Sequence, residues 1–334
     1  MGWKGTVRSV RAAYRRAERE AQRRQRELER QRQQMEKLEE IERAAYEVQL
    51  YENRIEVLTS VHKEYSREID WNAWIAAPEP QAPERTSSSE SKARKALRSY
   101  QPGFLDRILK REETRRTELE TALAEARHAD EVSHQKALRD WSSEYQEWEE
   151  SRDLAKRVVA GDQSSWIESI EKLNPFSDIS ELGSALSFRI GESGVMEVTL
   201  HVHGEDVVPK EIKSQLKSGR LSTKKMPTSK FNELFQDYVC SCILRVASEI
   251  FAILPIDDVL VNAVDRLLDT QTGHIVESPI LSVFIPRATL KSLNMNNIDP
   301  SDSMKNFVHR MNFKKTKGFA RVGTLTPVDF KMED

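Results

Sequence analysis

Glycine and proline are sparse between residues 6 and 160 of this 334-residue chain, which has only 12 of each. A stretch this long with few helix breakers and few aromatic residues favours long, solvent-exposed helices. Charged residues make up 32% of the chain, against about 25% in an average globular protein. The sequence therefore predicts a charged helical part that precedes any domain with a large apolar core.

Two long helices are predicted in this part, over about residues 7–67 and 102–159. Both carry apolar residues at alternating spacings of three and four, which is the pattern of a coiled-coil or bundle seam. The seam of the first helix includes Ile41, Ala45, Val48, Tyr51, Ile55 and Leu58. A linker rich in Pro and Ser at about residues 76–100 joins the two helices. We therefore expect residues 1–160 to form an antiparallel helical hairpin, a coiled coil.

The sequence pattern changes after Gly161. Residues 186–190 and 195–202 alternate as two strands around a glycine-containing turn, and residues 259–268 and 274–285 form a second hairpin around residues 269–273. Between these pairs, residues 231–254 form the most apolar helix of the chain. Residues 162–334 are thus predicted to form a compact α+β domain with a mainly antiparallel sheet, and the fold class is α+β.

Basic residues cluster in two segments of this domain, although the net charge of the chain is −2. Residues 209–230 contain seven Lys or Arg against one Glu, and residues 305–321 contain six with no acidic residue. Segregated charge of this kind favours a polyanion or an acidic protein as ligand, and solvated loops are the alternative. The predicted anion-binding residues are Lys213, Lys217, Arg220, Lys224, Lys225, Arg310, Lys314, Lys315 and Lys317.

Signals for metal binding and catalysis are weak. His201 and His203 lie at i and i+2 of a predicted strand and share a face, but two ligands are fewer than a zinc site requires. A Mg²⁺-dependent nuclease needs an Asp on one strand and Glu-x-Lys on the next. Asp and Glu candidates occur, but no lysine follows the Glu at that spacing; the candidates are Asp257, Asp258, Asp265 and Glu277. No catalytic residue and no cofactor is predicted.

The leading functional hypothesis is a non-enzymatic coiled-coil interaction or scaffold protein with a carboxyl-terminal domain that binds a partner or an anion. The alternative is a nucleic-acid-binding effector, such as a metal-dependent nuclease in bacterial defence or repair. A peripheral membrane protein with a basic amino-terminal helix is a third class, since residues 1–34 contain eleven Lys or Arg against four Glu.

The same patterns predict partners and location. A two-helix hairpin leaves Tyr46, Leu50 and Leu138 partly exposed, so we expect a homo-oligomer as well as a protein partner. No run of apolar residues is long enough to span a bilayer, so no integral membrane segment is predicted. Cys240 and Cys242 are too few and too close for a disulfide framework, which fits a reducing, cytoplasmic location.

Overall fold

The computed structural model of the protein describes residues 3–102, 111–176, 185–191, 194–202 and 204–330, with only the backbone for residues 3–27, 33, 204 and 205. The chain divides into two compact units, of which one joins residues 1–68 with residues 173–334 and the other consists of residues 69–172. The first long helix thus belongs to the unit that contains the carboxyl-terminal sheet. The sequence instead predicts one helical unit over residues 1–160 and an α+β domain over residues 162–334.

Helices and strands both occur in the described residues, in keeping with a mixed α+β protein. The helices are α1 (Trp3–Ser60), α2 (Trp71–Ile75), α3 (Ser88–Ser99), α4 (Glu112–Val159), α5 (Gln163–Leu173), α6 (Gly204–Val207), α7 (Thr228–Ile253), α8 (Arg287–Ser292), α9 (Pro300–Ser303) and α10 (Pro327–Phe330). The strands are β1 (Ala185–Ile190), β2 (Met196–His201), β3 (Glu211–Gln215), β4 (Leu221–Lys225), β5 (Asp258–Leu268), β6 (Ile275–Pro286), β7 (Val308–Lys314) and β8 (Gly318–Ala320). Among the described helices, none has the length and apolar character needed to cross a membrane.

Helix α4 organises the unit of residues 69–172, because α2 and α3 both contact it. Two of its tryptophans meet the chain between these helices. The indole N–H of Trp141 donates to the Pro80 carbonyl, and the indole N–H of Trp148 donates to the Ala77 carbonyl, both at 3.0 Å. A proline-rich segment has carbonyls that no regular structure uses, so the indoles and the segment satisfy each other's hydrogen-bonding groups.

Helix α3 lies within residues 76–100, where the sequence predicts a linker. Its amino end is held by Asp130 of α4, whose carboxylate accepts the backbone N–H groups of Ser89 and Glu90 at 3.3 and 2.8 Å. These bonds act as the cap that the side chain before the helix does not supply. Residues 103–110, where the second long helix is predicted to begin, lie outside the described residues.

A six-stranded sheet lies in the unit of residues 1–68 and 173–334. The strand order is β1-β2-β5-β6-β7-β8, and every neighbouring pair is antiparallel except β2 with β5. The sheet is therefore mainly antiparallel, and both predicted hairpins, β1–β2 and β5–β6, are present. The parallel pair requires a crossover connection, and the chain between β2 and β5 supplies one that contains the β3–β4 hairpin and α7.

Helix α7 is the central helix of this unit, as its apolar sequence predicts. Residues 238–253 are all buried, so the helix is covered on every side rather than along one stripe. It packs on β5 and β8 of the sheet and on α1. At the α1 side, Nδ1 of His62 lies 2.8 Å from Oγ of Ser241, and the carboxylate of Glu249 accepts the backbone N–H of Ser66 at 2.8 Å.

The carboxyl-terminal part of α1 packs within its own unit. Ala44 and Leu58 are buried, and the helix contacts both α7 and the β3–β4 hairpin. The apolar seam on this face of α1 is the one that the sequence predicts to pack against the second long helix. Part of this seam therefore packs on α7 and on the β3–β4 hairpin of its own unit. The antiparallel pairing of the two long helices stays a prediction.

Both faces of the central strands are covered. Residues 259–263 of β5 are buried in succession, although neighbouring side chains on a strand point to opposite faces. On the face that carries Ser282, the chain after β8 crosses the sheet, and the backbone N–H of the buried Leu325 donates to Ser282 Oγ at 2.9 Å. Farther along, Phe330 stacks on Phe284 with ring centroids 4.1 Å apart.

Candidate anion-binding surface

The β3–β4 hairpin contains most of the first predicted basic segment. Its strands alternate, so every second side chain points to the face that meets α1. On this face Lys213 forms a 2.5 Å ion pair with Glu47, and Nε2 of Gln215 donates to the Ile41 carbonyl at 3.1 Å. Lys213 is therefore paired with α1 instead of being available to a ligand.

Lys217 and Arg220 lie at the turn of the same hairpin. Arg220 lines a hollow of about 490 Å³ beside α1, which Glu40 and Glu47 also line. A strand of five residues is roughly 17 Å long, so the turn is about that far from the strand ends that lead into α7. These two predicted residues belong with α1 and not with the start of α7.

Lys224 and Lys225 end β4 and lead into α7 through only two residues, and both are exposed. Pro227 precedes the helix and supplies no side-chain cap, so the first N–H groups of α7 are not satisfied in that way. Lys230, in the first turn of the helix, is exposed as well. A helix of 26 residues carries partial positive charge at its amino end, which adds to the charge of these lysines.

The β7–β8 turn brings the second basic segment to the same end of α7. Nδ2 of Asn232 donates to the Lys315 carbonyl at 2.7 Å, and the ammonium group of Lys315 forms an ion pair with Glu233. Gly318, with φ +77°, approaches so closely that a Cβ there would lie 3.2 Å from Oδ1 of Asn232. The turn is therefore fixed on the start of α7.

Five exposed lysines flank the amino end of α7, and we call them the lysine surface. They are Lys224, Lys225, Lys230, Lys314 and Lys317. None of the five lies within ion-pair distance of a carboxylate in the part of the chain that the structure describes. The predicted Arg310 is not part of the surface, because its guanidinium group bonds to Asp329 at 2.5 Å and to the Thr324 carbonyl at 3.1 Å.

A second polar site lies beside the lysine surface, in a hollow of about 470 Å³ between α7, α9 and β7. Burial raises the pKa of Asp237 in this hollow, the charges of Asp299, Glu233 and Asp302 raise it further, and a hydrogen bond from Ser301 opposes the rise. The four carboxylates share the hollow with three lysines. Because these charges nearly cancel, the hollow has no clear preference for an anion.

The carboxylates considered for a nuclease do not converge. Asp265 pairs with Ser278 and Arg266 pairs with Glu277 across β5 and β6, so Asp265 and Glu277 point to opposite faces of the sheet. Asp258 opens β5 seven residues before Asp265, which is roughly 23 Å along the strand, and Asp257 precedes it.

The histidines considered for a metal site are also not assembled into one. Nδ1 of His201 lies 3.6 Å from Oε2 of Glu277, and His203 lies outside the described residues. Among the residues that the structure describes, no group of three or more His, Cys, Asp or Glu side chains is placed to hold a metal ion. Cys240 and Cys242 are buried in α7 and are not joined in a disulfide bond. Burial raises the pKa of the Cys240 thiol, which makes it a poor nucleophile.

The lysine surface offers a ligand five cations and the positive end of a long helix. Because these lysines are exposed and lie on three separate elements, the arrangement suits negative charges spread along a polymer better than one enclosed anion. Comparison of the chain with protein-family models, with curated proteins and with solved structures found no match.

Proposed function

We propose that the protein is a non-enzymatic interaction protein that binds a polyanion on the lysine surface. The observation that carries the proposal is the hydrogen bond from Asn232 to Lys315, which joins residues 83 positions apart. It holds the second basic segment at the end of α7 that the last lysines of the first segment lead into. Lysines that are not used in internal ion pairs keep their charge for a ligand. Their flexible ammonium groups suit backbone phosphates better than base edges, so nucleic acid bound without sequence preference is the polyanion we favour.

Catalysis is not part of the proposal, because Asp265 and Glu277 face opposite sides of the sheet. A cytoplasmic location is part of it, since the two buried thiols remain unoxidised most readily in a reducing compartment. An acidic protein is the alternative ligand for the same lysines, and the binding experiment separates the two.

The experiment replaces Lys224, Lys225, Lys314 and Lys317 by Gln and measures binding to duplex DNA, single-stranded DNA, RNA and inorganic polyphosphate from low to physiological salt. Each lost phosphate contact should reduce the slope of log affinity against log salt by about 0.9 on duplex DNA, so four contacts give a large change. A matched control replaces four exposed lysines of the other unit, Lys92, Lys95, Lys136 and Lys156. This control should bind like the wild type.

Two results would overturn the proposal. If the wild type binds none of these polyanions even at low salt, the lysine surface has another ligand, such as an acidic protein. If the control loses as much affinity as the four-lysine variant, the interaction depends on total charge and not on the surface at α7.

We also propose that two chains associate through α1. Six large apolar residues on this helix are between 45% and 64% exposed, of which Leu38 lies apart from the rest. The other five are Leu28, Met35, Tyr46, Leu50 and Val57. At 100° per residue they fall within an arc of roughly 60°, on the side opposite the buried Ala44 and Leu58. We call these five residues the α1 stripe. An exposed apolar strip of this kind is typical of an interface.

A second copy of α1 in antiparallel orientation fits the α1 stripe. If the two copies cross between residues 42 and 43, Leu28 lies opposite Val57, and Met35 lies opposite Leu50. The charges agree with this orientation, because residues 1–34 contain eleven Lys or Arg against four Glu, whereas residues 36–56 contain seven Glu against three Lys or Arg. An antiparallel pair therefore brings the basic half of each helix beside the acidic half of the other.

A further inference from the structure

A hollow of about 480 Å³ adjoins the lysine surface at the start of α7. Three phenylalanine rings line it, two from the first turns of α7 and one from β8: Phe231, Phe235 and Phe319. We call it the phenylalanine hollow. Phe235 is buried, and its ring meets that of Phe319 edge to face with centroids 5.5 Å apart. Phe231 and Phe319 are half-buried, so each keeps part of its ring accessible.

Polar groups surround these rings. Lys317 lines the hollow and also belongs to the lysine surface, so a cation stands where the two sites meet. Asn232 lies in the wall, where its Nδ2 donates to the Lys315 carbonyl. The carboxylates of Asp206 and Asp265 and the guanidinium group of Arg266 also line the hollow. Flat apolar rings with hydrogen-bond acceptors and a cation at the rim match a planar heterocycle that has N–H donors and a nearby phosphate.

We propose that the phenylalanine hollow takes an unpaired nucleobase of a single-stranded nucleic acid, while the neighbouring phosphates lie on the lysine surface. This inference rests on the proposed function, because the lysines must bind the strand that delivers the base. A base within a duplex is stacked on both sides and cannot enter without leaving the helix, so the hollow favours single strands. Stacking on phenylalanine requires only the face of a base, so no sequence preference follows from it.

The test uses Phe231→Leu and Phe319→Leu, which keep apolar volume and remove the ring. The probes are an oligothymidylate of about 15 nucleotides, an abasic strand of the same length and a duplex, with binding followed by fluorescence anisotropy. The wild type should bind the base-bearing strand about five- to hundredfold more tightly than the abasic strand. Each variant should lose most of this margin and bind the abasic strand as the wild type does.

A matched control is Phe188→Leu, on β1 at the opposite edge of the sheet, where the ring stacks on Phe176. It should keep the full margin. A second variant guards against loss of folding in the leucine variants: Phe231→Trp retains a ring, and its added indole emission should be quenched by the base-bearing strand but not by the abasic strand. Thymidine monophosphate is a further probe, and comparable affinity for it would identify a free nucleotide as the ligand and overturn the strand proposal.

The failures of the two proposals are distinguishable. If the wild type binds the base-bearing and abasic strands equally, the phenylalanine hollow takes no base, and the lysine surface stands as the binding site. If it binds neither strand nor polyphosphate, the proposed function fails and the hollow inference fails with it.

Discussion

Asp237 is a carboxyl group whose surroundings oppose its ionisation. It is half-buried on α7, and burial, followed by the charges of Asp299, Glu233 and Asp302, raises its pKa above the ordinary 3.8. Because the folded-state pKa is raised, the stabilising contribution of this carboxyl group is fully present below about pH 4 and is lost as the pH rises through the folded-state value. At neutral pH the ionised group therefore makes the fold less stable.

Asp237→Asn should accordingly stabilise the protein at neutral pH, because the amide has similar size and no charge to bury. We expect a higher melting temperature than that of the wild type, with an advantage that shrinks as the pH is lowered toward about 4. Circular dichroism melts over this pH range measure it. Asp269→Asn is the contrasting control, since hydrogen bonds from Gln271 and Thr272 lower the pKa of Asp269, and its loss should destabilise. An unchanged melting temperature for Asp237→Asn at neutral pH would contradict the argument.

Single residues of the site differ in how far sequence predicts them. Runs of lysine such as Lys224 and Lys225 are visible by composition alone, and the structure keeps them exposed. Asn232 has no such signal, because an asparagine in a helix looks the same whether or not it bonds to a carbonyl 83 residues later. The loss of Lys213 and Arg310 to ion pairs has the same origin. The acidic partner of Lys213 is Glu47, which lies 166 residues earlier in the chain. The partner of Arg310 is Asp329, which lies 19 residues later, after β8.

At the scale of elements, α1 is a helix with two apolar faces. The face that contains Leu58 packs within its unit, and the face that contains the α1 stripe is exposed.

Leu58→Ala should lower the free energy of unfolding by about 2–5 kcal/mol, since its side chain is fully buried and its truncation leaves a cavity. Leu268→Ala is the matched control, because that leucine is 63% exposed on β5, and a change within about 0.5 kcal/mol is expected. Urea unfolding measures both, and equal effects would show that the face is assigned wrongly.

Elements with a strong period are predictable from this sequence, and weakly patterned ones are not. The continuous apolar character of α7 identifies that helix, and the apolar runs on both sides of a glycine-containing turn identify β5 and β6. Strands β3 and β4 are mostly polar and rest on α1 partly through Lys213 and Gln215, so they lack the apolar alternation that marks a strand. Helix α3 lacks a capping side chain of its own and depends on Asp130 of α4, which no local pattern reveals. The parallel pairing of β2 with β5 follows from a crossover, and periodicity carries no information about it.

At the scale of the whole molecule, a net charge of −2 conceals two separated charge patterns. One is the lysine surface, which has no ion-pair partner among the described residues and which we propose as the site for a polyanion. The other lies along the sequence of α1, basic over residues 1–34 and acidic over residues 36–56. Among the described residues the α1 stripe is exposed, and the antiparallel second copy that we propose would cover the stripe and complement the charge pattern.

The last prediction therefore concerns assembly of the full chain. Light scattering at tens of micromolar should give a dimer for the wild type and a monomer for Met35→Glu combined with Leu50→Glu, because each places a charge where the other chain's apolar residue lies. Leu268→Glu is the control, since it changes an exposed leucine outside the stripe and should leave the dimer intact. Mixing a Leu28→Cys chain with a Val57→Cys chain tests the orientation, and oxidation should link the two different chains preferentially. A monomeric wild type would refute the self-association, and preferential linkage of Leu28→Cys to itself would refute the antiparallel arrangement.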